Sequence, residues 1–229
     1  MEVARVYRSC EAVRISGLGQ PVNSWSSLIF FGLATIYLIN WTTRTQRFIQ
    51  NSRLYSYLFI LVVALIGVSS FLAHGTVTVW GGAADFESMY LLVTLTLLLG
   101  INWFYPMSKK LLLTIWLTLN IPLTYIATQP ARITDYTFMF FVFLVIAIEL
   151  IALKQLKQTG SRYFWLSILS LAVGYGIWQL DVRKIWCSPY GLWQGHAVWH
   201  LLTALAACFL YIYLATKPSS KTAVANGGL

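Results

Sequence analysis

Residues 54–74 read LYSYLFILVVALIGVSSFLAH, an apolar run with no charged side chain before it stops at His74. A helix rises about 1.5 Å per residue, so a run of this length covers the ~30 Å hydrocarbon core of a bilayer. Backbone groups inside lipid must pair internally, which only helices and closed barrels achieve. The run shows no strict alternation of apolar and polar residues, so a helix is expected. Working outward, six more runs of this kind fall at about 22–41, 84–104, 111–128, 135–153, 163–181 and 193–216. The breaks between them are polar or turn-forming: Arg44 to Arg53, Gly81-Gly82, Pro106 with Lys109 and Lys110, Pro130 with Arg132, Lys154 to Arg162, and Arg183 to Pro189. Pro122 falls inside the fourth run and is expected to kink it.

The sequence therefore predicts an all-α membrane protein, a seven-transmembrane helix bundle. It divides into a short segment 1–21, a seven-span domain 22–216 and a small polar tail 217–229 that is expected to be disordered. Composition agrees: hydrophobic residues are 58% and charged residues 10% of the chain, where soluble domains carry about a quarter charged. The formal net charge of +9 is scattered over short loops, with no dense basic patch interleaved with aromatics, so no nucleic-acid partner is expected. Residues 1–20 hold five charges and no apolar core, so the first span is expected to act as the insertion signal. With the N-terminus outside, ten Lys and Arg fall on the inner side, among them Arg44, Lys109, Lys154 and Lys217. Six fall outside: Arg5, Arg8, Arg14, Arg132, Arg183 and Lys184. That bias favours an outer (periplasmic or lumenal) N-terminus and a cytoplasmic C-terminus. A bacterial inner membrane and a eukaryotic membrane of the ER or Golgi type both fit.

The chain has three histidines, His74, His196 and His200. The last two are four apart on the seventh span and share a helix face. Neutral imidazoles suit zinc, and a catalytic zinc takes three protein ligands and keeps one position for water. Depth strengthens the reading. The second span ends at His74, the third begins near Asp85, and the seventh begins near His196; alternating spans bring these ends to one level.

Ser70 lies one turn before His74. Ionisable and polar groups inside a span are costly and are functional candidates by default. Asp85 is a candidate general base for water activation, and Ser70 a candidate donor to a developing oxyanion. A helix cap for Asp85 and a packing role for Ser70 are the plainer alternatives. Asp181 ends the sixth span at the same level, suited either to orienting a ligand histidine or to pairing with Arg183 or Lys184. Asn23 either lines the polar cavity or caps the first span. Glu87 and Asp135 read as interfacial, and Glu149 falls near the inner end of the fifth span, far from the histidines. Cys208 reads as a buried packing residue in mid-span.

At these residues the sequence resembles the alkaline ceramidases, within the CREST group of seven-span hydrolases. Four segments carry the resemblance, in order along the chain: Cys10-Glu11 followed by QPVNSWSSLIF at 20–30; SFLAH at 70–74 with Asp85; WQLD at 178–181 with Cys187; and GHAVWH at 195–200. The outer segments are short, as in bacterial members. The resemblance implies that His74, His196 and His200 bind zinc, that Asp85 activates water and that Ser70 assists at the carbonyl. It implies an amidase cleaving ceramide-like lipids, taken from the bilayer, into a fatty acid and a sphingoid base. It also implies a disulfide between Cys10 and Cys187, on the side where an oxidising compartment permits one; two free thiols are the alternative.

One departure stands out. Animal members bind calcium through acids and an asparagine near the N-terminus. Here that stretch reads Arg8-Ser9-Cys10-Glu11-Ala12-Val13, and a later acid position holds Gln20. Only Glu11 remains, too few carboxylates for a strong site, so no calcium is expected. Other functions remain open: a zinc hydrolase of another lipid ester or N-acyl amine, a haem protein using two of the histidines, or a lipid-binding protein without catalysis. A Ser-His protease fits less well, because Ser70 and His74 share one helix.

Overall fold

The computed structural model describes residues 8–156 and 161–217. Among the described residues seven α-helices form: α1 Pro21–Thr45, α2 Arg53–Thr76, α3 Val79–Phe104, α4 Lys109–Ala127, α5 Ala131–Leu156, α6 Ser161–Val182 and α7 Gly195–Thr216. Each is long and apolar enough to cross a membrane, and no strand occurs among the described residues. The chain is an integral multi-pass membrane protein. Exposed side chains such as Ile36, Leu61, Phe143 and Leu169 are apolar, as a lipid-facing surface requires.

The helix starts and stops follow local chemistry. Pro21 stands at the first position of α1, where its missing N–H costs nothing. Thr78 caps α3, its hydroxyl accepting from the Gly81 N–H. The 84–104 expectation started α3 too late. Gly81 and Gly82 lie inside the helix, and the turn is made by Val77 and Thr78. Val77 takes a left-handed φ of 53°, unfavourable for a β-branched residue. The glycines have a packing reason instead: a Cβ on Gly81 would come within 2.9 Å of the Ala73 Cα. The start of α3 therefore presses against the end of α2, which brings Asp85 beside His74.

Helix α7 packs between α6 and α1; α1 packs on α2, α2 on α3, and α3 carries both α4 and α5. The central core is apolar and aromatic, with Leu38, Phe59, Leu95, Leu99 and Tyr211 fully buried. The Tyr211 ring meets Trp41 and Phe59 edge-on, and its hydroxyl bonds Thr42 at 2.7 Å. Helices α5 and α6 barely touch, so the ring is unsealed there and a cavity lies between α3, α5, α6 and α7.

The segment before α1 lies across one end of the bundle. Main-chain bonds tie it to α2, from Gly19 to Gly75 and from Gln20 to His74, and to the α6–α7 loop, from Ala12 to Pro189. A Cys10–Cys187 disulfide fastens it, as the resemblance implied, and Cys208 is free and buried. At the opposite end the expected tail loses its first residue: Lys217 is buried, paired with Glu149 at 2.6 Å. The remainder of that tail, 218–229, lies outside the described residues, as do residues 1–7 and 157–160.

Candidate metal centre

His74 comes from the last turns of α2, and His196 and His200 from the first two turns of α7. The ring centroids are 4.7 Å apart for His74 and His196, 5.4 Å for His74 and His200, and 4.6 Å for His196 and His200. One nitrogen from each lies within 4.8 Å of the others. His74 and His200 are buried, each 3% exposed.

The hydrogen bonds fix the tautomers. The Gln20 amide nitrogen donates to Ser9 Oγ and to the Glu11 carbonyl, which leaves its oxygen facing His74. His74 Nδ1 therefore donates to Gln20 Oε1, at 2.7 Å. Ser26 donates to the Asn23 carbonyl, so His200 Nδ1 donates to Ser26 Oγ, at 2.9 Å. Both imidazoles keep the Nε2 lone pair for a ligand, with the other ring nitrogen held by an acceptor, which is how metal-binding histidines are usually oriented. His196 Nδ1 is buried with no hydrogen-bond partner. Three clustered imidazole donors, two pre-oriented and one carrying an orphan nitrogen, fit a zinc ion's preference for nitrogen ligands.

Asp85 and Ser70 line the same cavity as the three histidines. Asp85 is the seventh residue of α3, and Thr78 is the cap, so the capping alternative for Asp85 is removed. The Ser70 hydroxyl lies next to the Asp85 carboxylate.

Asp181 does not meet a histidine ring. It is fully buried, and its oxygens accept the main-chain N–H of Cys10 at 2.7 Å and of His196 at 3.2 Å. It holds the start of α7, and thus the His196 backbone, where a carboxylate also favours the helix dipole. Asn23 is fully buried in the first turn of α1. Its side chain reaches Ser9 Oγ at 3.3 Å, and its N–H donates to Glu11.

Both Glu11 oxygens are engaged, by the N–H of Val22 and of Asn23. Burial pushes the Glu11 carboxyl above the ordinary range, and those two N–H groups pull it back only in part. Lys184 supplies positive charge here: its ammonium donates to the carbonyls of Arg8 and Ser9.

Several contributors were not singled out from sequence. Ser26 sits in the first turns of α1 among Asn23, Ser24 and Ser27, a polar density unusual for a span and a usable signal. Asp135, read as interfacial, pairs with Arg8 at 2.6 Å on the cavity wall, and the Arg8 guanidinium lies 5.7 Å from the Trp178 ring centroid. A pairing across 127 residues leaves no local trace in sequence. Glu87 turns toward Thr124 of α4, whose hydroxyl donates to the Asn120 carbonyl.

No curated protein matches the chain. The family model described as Ceramidase matches residues 15–225, which span α1 through α7 and hold all three histidines, Ser70 and Asp85, and the chain accordingly belongs to the ceramidase family.

Proposed function

We propose that the chain hydrolyses the N-acyl bond of ceramide-like sphingolipids within the membrane, using zinc held by His74, His196 and His200. The observation that carries this reading is the three-histidine cluster opening onto an apolar cavity whose polar catalytic candidates sit at the same end. Family membership supports an amide-cleaving hydrolase acting on a membrane lipid.

Zinc bound there would supply Lewis-acid polarisation of the scissile carbonyl and a water of lowered pKa. Asp85 accepts the proton of the attacking water and returns it to the departing amine nitrogen, which leaves as the neutral sphingoid base. Ser70, next to Asp85, offers its hydroxyl to the carbonyl oxygen as charge develops there. Gln20 and Ser26 keep the two imidazoles oriented, and Asp181 keeps the start of α7 in register. The apolar walls of the cavity take the hydrocarbon chains and exclude water from the reacting bond. The close, edge-on packing of the three rings leaves no plane for a porphyrin between any pair of histidines, which favours this reading over haem binding.

The test is fatty-acid release by the purified protein from defined ceramides, esters and N-acyl amines, beside its metal content. One equivalent of zinc, chelator-sensitive ceramide turnover and loss of both in His200→Ala are expected. A protein that carries zinc yet releases fatty acid only from esters sinks the amidase reading while keeping the metal centre.

A further inference from the structure

The cavity has a long axis. Helix α7 faces it with His196, His200, Thr203, Ala207 and Leu210, and α6 with Trp178, Tyr175, Leu171, Ile168 and Phe164. These are spacings of three, four and seven residues, one continuous stripe on each helix. Leu210 is ten residues beyond His200, so the cavity runs about 15 Å below the histidines. From His200 down, every α7 residue on this stripe except Thr203 is apolar.

The next layer closes it. One turn beyond Leu210 on α7 is Tyr213, and one turn beyond Val145 on α5 is Glu149; both are fully buried. The Tyr213 hydroxyl donates to Glu149 Oε2 at 2.7 Å, and the Lys217 ammonium donates to the same oxygen at 2.6 Å. That ammonium also lies 4.8 Å from the Trp103 ring centroid. On α3, Gly100 makes the room: a Cβ there would lie 3.1 Å from Glu149 Oε1. Phe164 is a cavity-lining residue that meets this layer, its ring 5.3 Å from Tyr213 and 1% exposed. An ion pair buried in apolar surroundings stabilises little beyond what hydrophobic side chains would, but it fixes geometry. Here it fixes a tyrosine behind a phenylalanine at the end of the cavity away from the histidines.

We propose that Phe164, backed by Tyr213 and its bonds to Glu149, is the floor that sets the length of acyl chain the site accepts. This rests on the amidase reading above. The scissile carbonyl is the head of the acyl chain, so a carbonyl at the histidines sends that chain straight down the stripe. With C–C bonds of about 1.5 Å in an extended zigzag, a ~15 Å shaft holds roughly a dozen carbons before the chain meets Phe164. Longer chains must displace the ring, and the bonded tyrosine behind it resists.

The experiment uses the full-length, metal-loaded protein and two ceramide series, one varying the acyl chain and one varying the sphingoid base. Phe164→Ala should raise kcat/KM for acyl chains longer than the wild-type optimum on the order of tenfold or more relative to that optimum, the low end of the scale for a single methylene in an apolar pocket. Phe164→Trp, and Leu210→Phe on the facing wall, should move the optimum to shorter chains. Retained turnover of short-chain ceramides shows that each variant is folded. An acyl profile unchanged in all three variants overturns the proposal, as does a shift seen only in the base series. If the wild-type protein releases no fatty acid from any ceramide, the amidase reading itself fails, and the floor assignment with it.

Discussion

Gln20 grips His74 twice: its main-chain N–H donates to the His74 carbonyl at 2.9 Å, and its side-chain oxygen accepts the His74 Nδ1–H at 2.7 Å. The histidine is thus fixed in both backbone and ring by one residue from the segment that precedes α1. The Gln20 amide nitrogen, held by Ser9 and the Glu11 carbonyl, makes the orientation of the amide unambiguous.

Gln20→Leu removes the acceptor while keeping the volume. Partners of this kind, when removed, weaken metal affinity or activity by about 10–100-fold. That range is expected for zinc retention against a competing chelator, and for kcat/KM. Gln20→Glu keeps an oxygen facing the ring and should retain most of the metal. Wild-type zinc affinity in Gln20→Leu would show that the bond is incidental.

Ser26→Ala tests the matching bond at His200. It leaves a buried imidazole N–H without an acceptor, a cost of about 1–3 kcal/mol. Weaker zinc binding is expected, with the loss smaller than additive when combined with Gln20→Leu, because both act on one metal. Fully additive losses, read by metal titration of the single and double variants, would place the two bonds in independent structures.

How much of this was legible beforehand divides by range. The seven spans were legible because hydrocarbon thickness imposes a length and a composition on each. The histidine cluster was legible because alternation of spans converts position along the chain into depth. Gln20 was noticed, but only as the absence of an acid; its amide serves His74, which no local pattern encodes. Gly81-Gly82 was misread as a turn because glycine serves two ends, turning a chain and letting two helices approach, and only the contact with Ala73 decides which. Arg8 and Lys217 read singly as charges outside the spans, and Asp135 and Glu149 as acids near span ends; pairing across 127 and 68 residues belongs to the packing.

Lys184 bears on calcium. Its ammonium donates to the carbonyls of Arg8 and Ser9, and the Glu11 carboxylate is spent on two helix N–H groups. The segment is thus held by groups of the chain itself. A calcium-selective chelator should leave lipid hydrolysis within about twofold of control, whereas a zinc chelator should abolish it. Lys184→Met should lower both thermal stability and turnover, and added calcium should not restore them. Rescue by calcium would reveal a cation site at this segment.

The buried pair of Lys217 and Glu149 at the far end offers the sharpest stability test. Both side chains are almost wholly enclosed, at 2% and 0% exposure. Removing one partner of such a pair strands the other as a buried charge, at a cost of about 3–5 kcal/mol, whereas replacing both with apolar or neutral groups is often close to neutral. Lys217→Met alone should therefore lower the unfolding midpoint in detergent markedly. Lys217→Met combined with Glu149→Gln should recover most of the loss, since the amide still accepts from Tyr213 and no charge is left unpaired. If the double variant is destabilised by the sum of the two single losses, the coupling energy of the cycle is close to zero, and the lysine contributes by packing against Trp103 and Tyr213 rather than by charge.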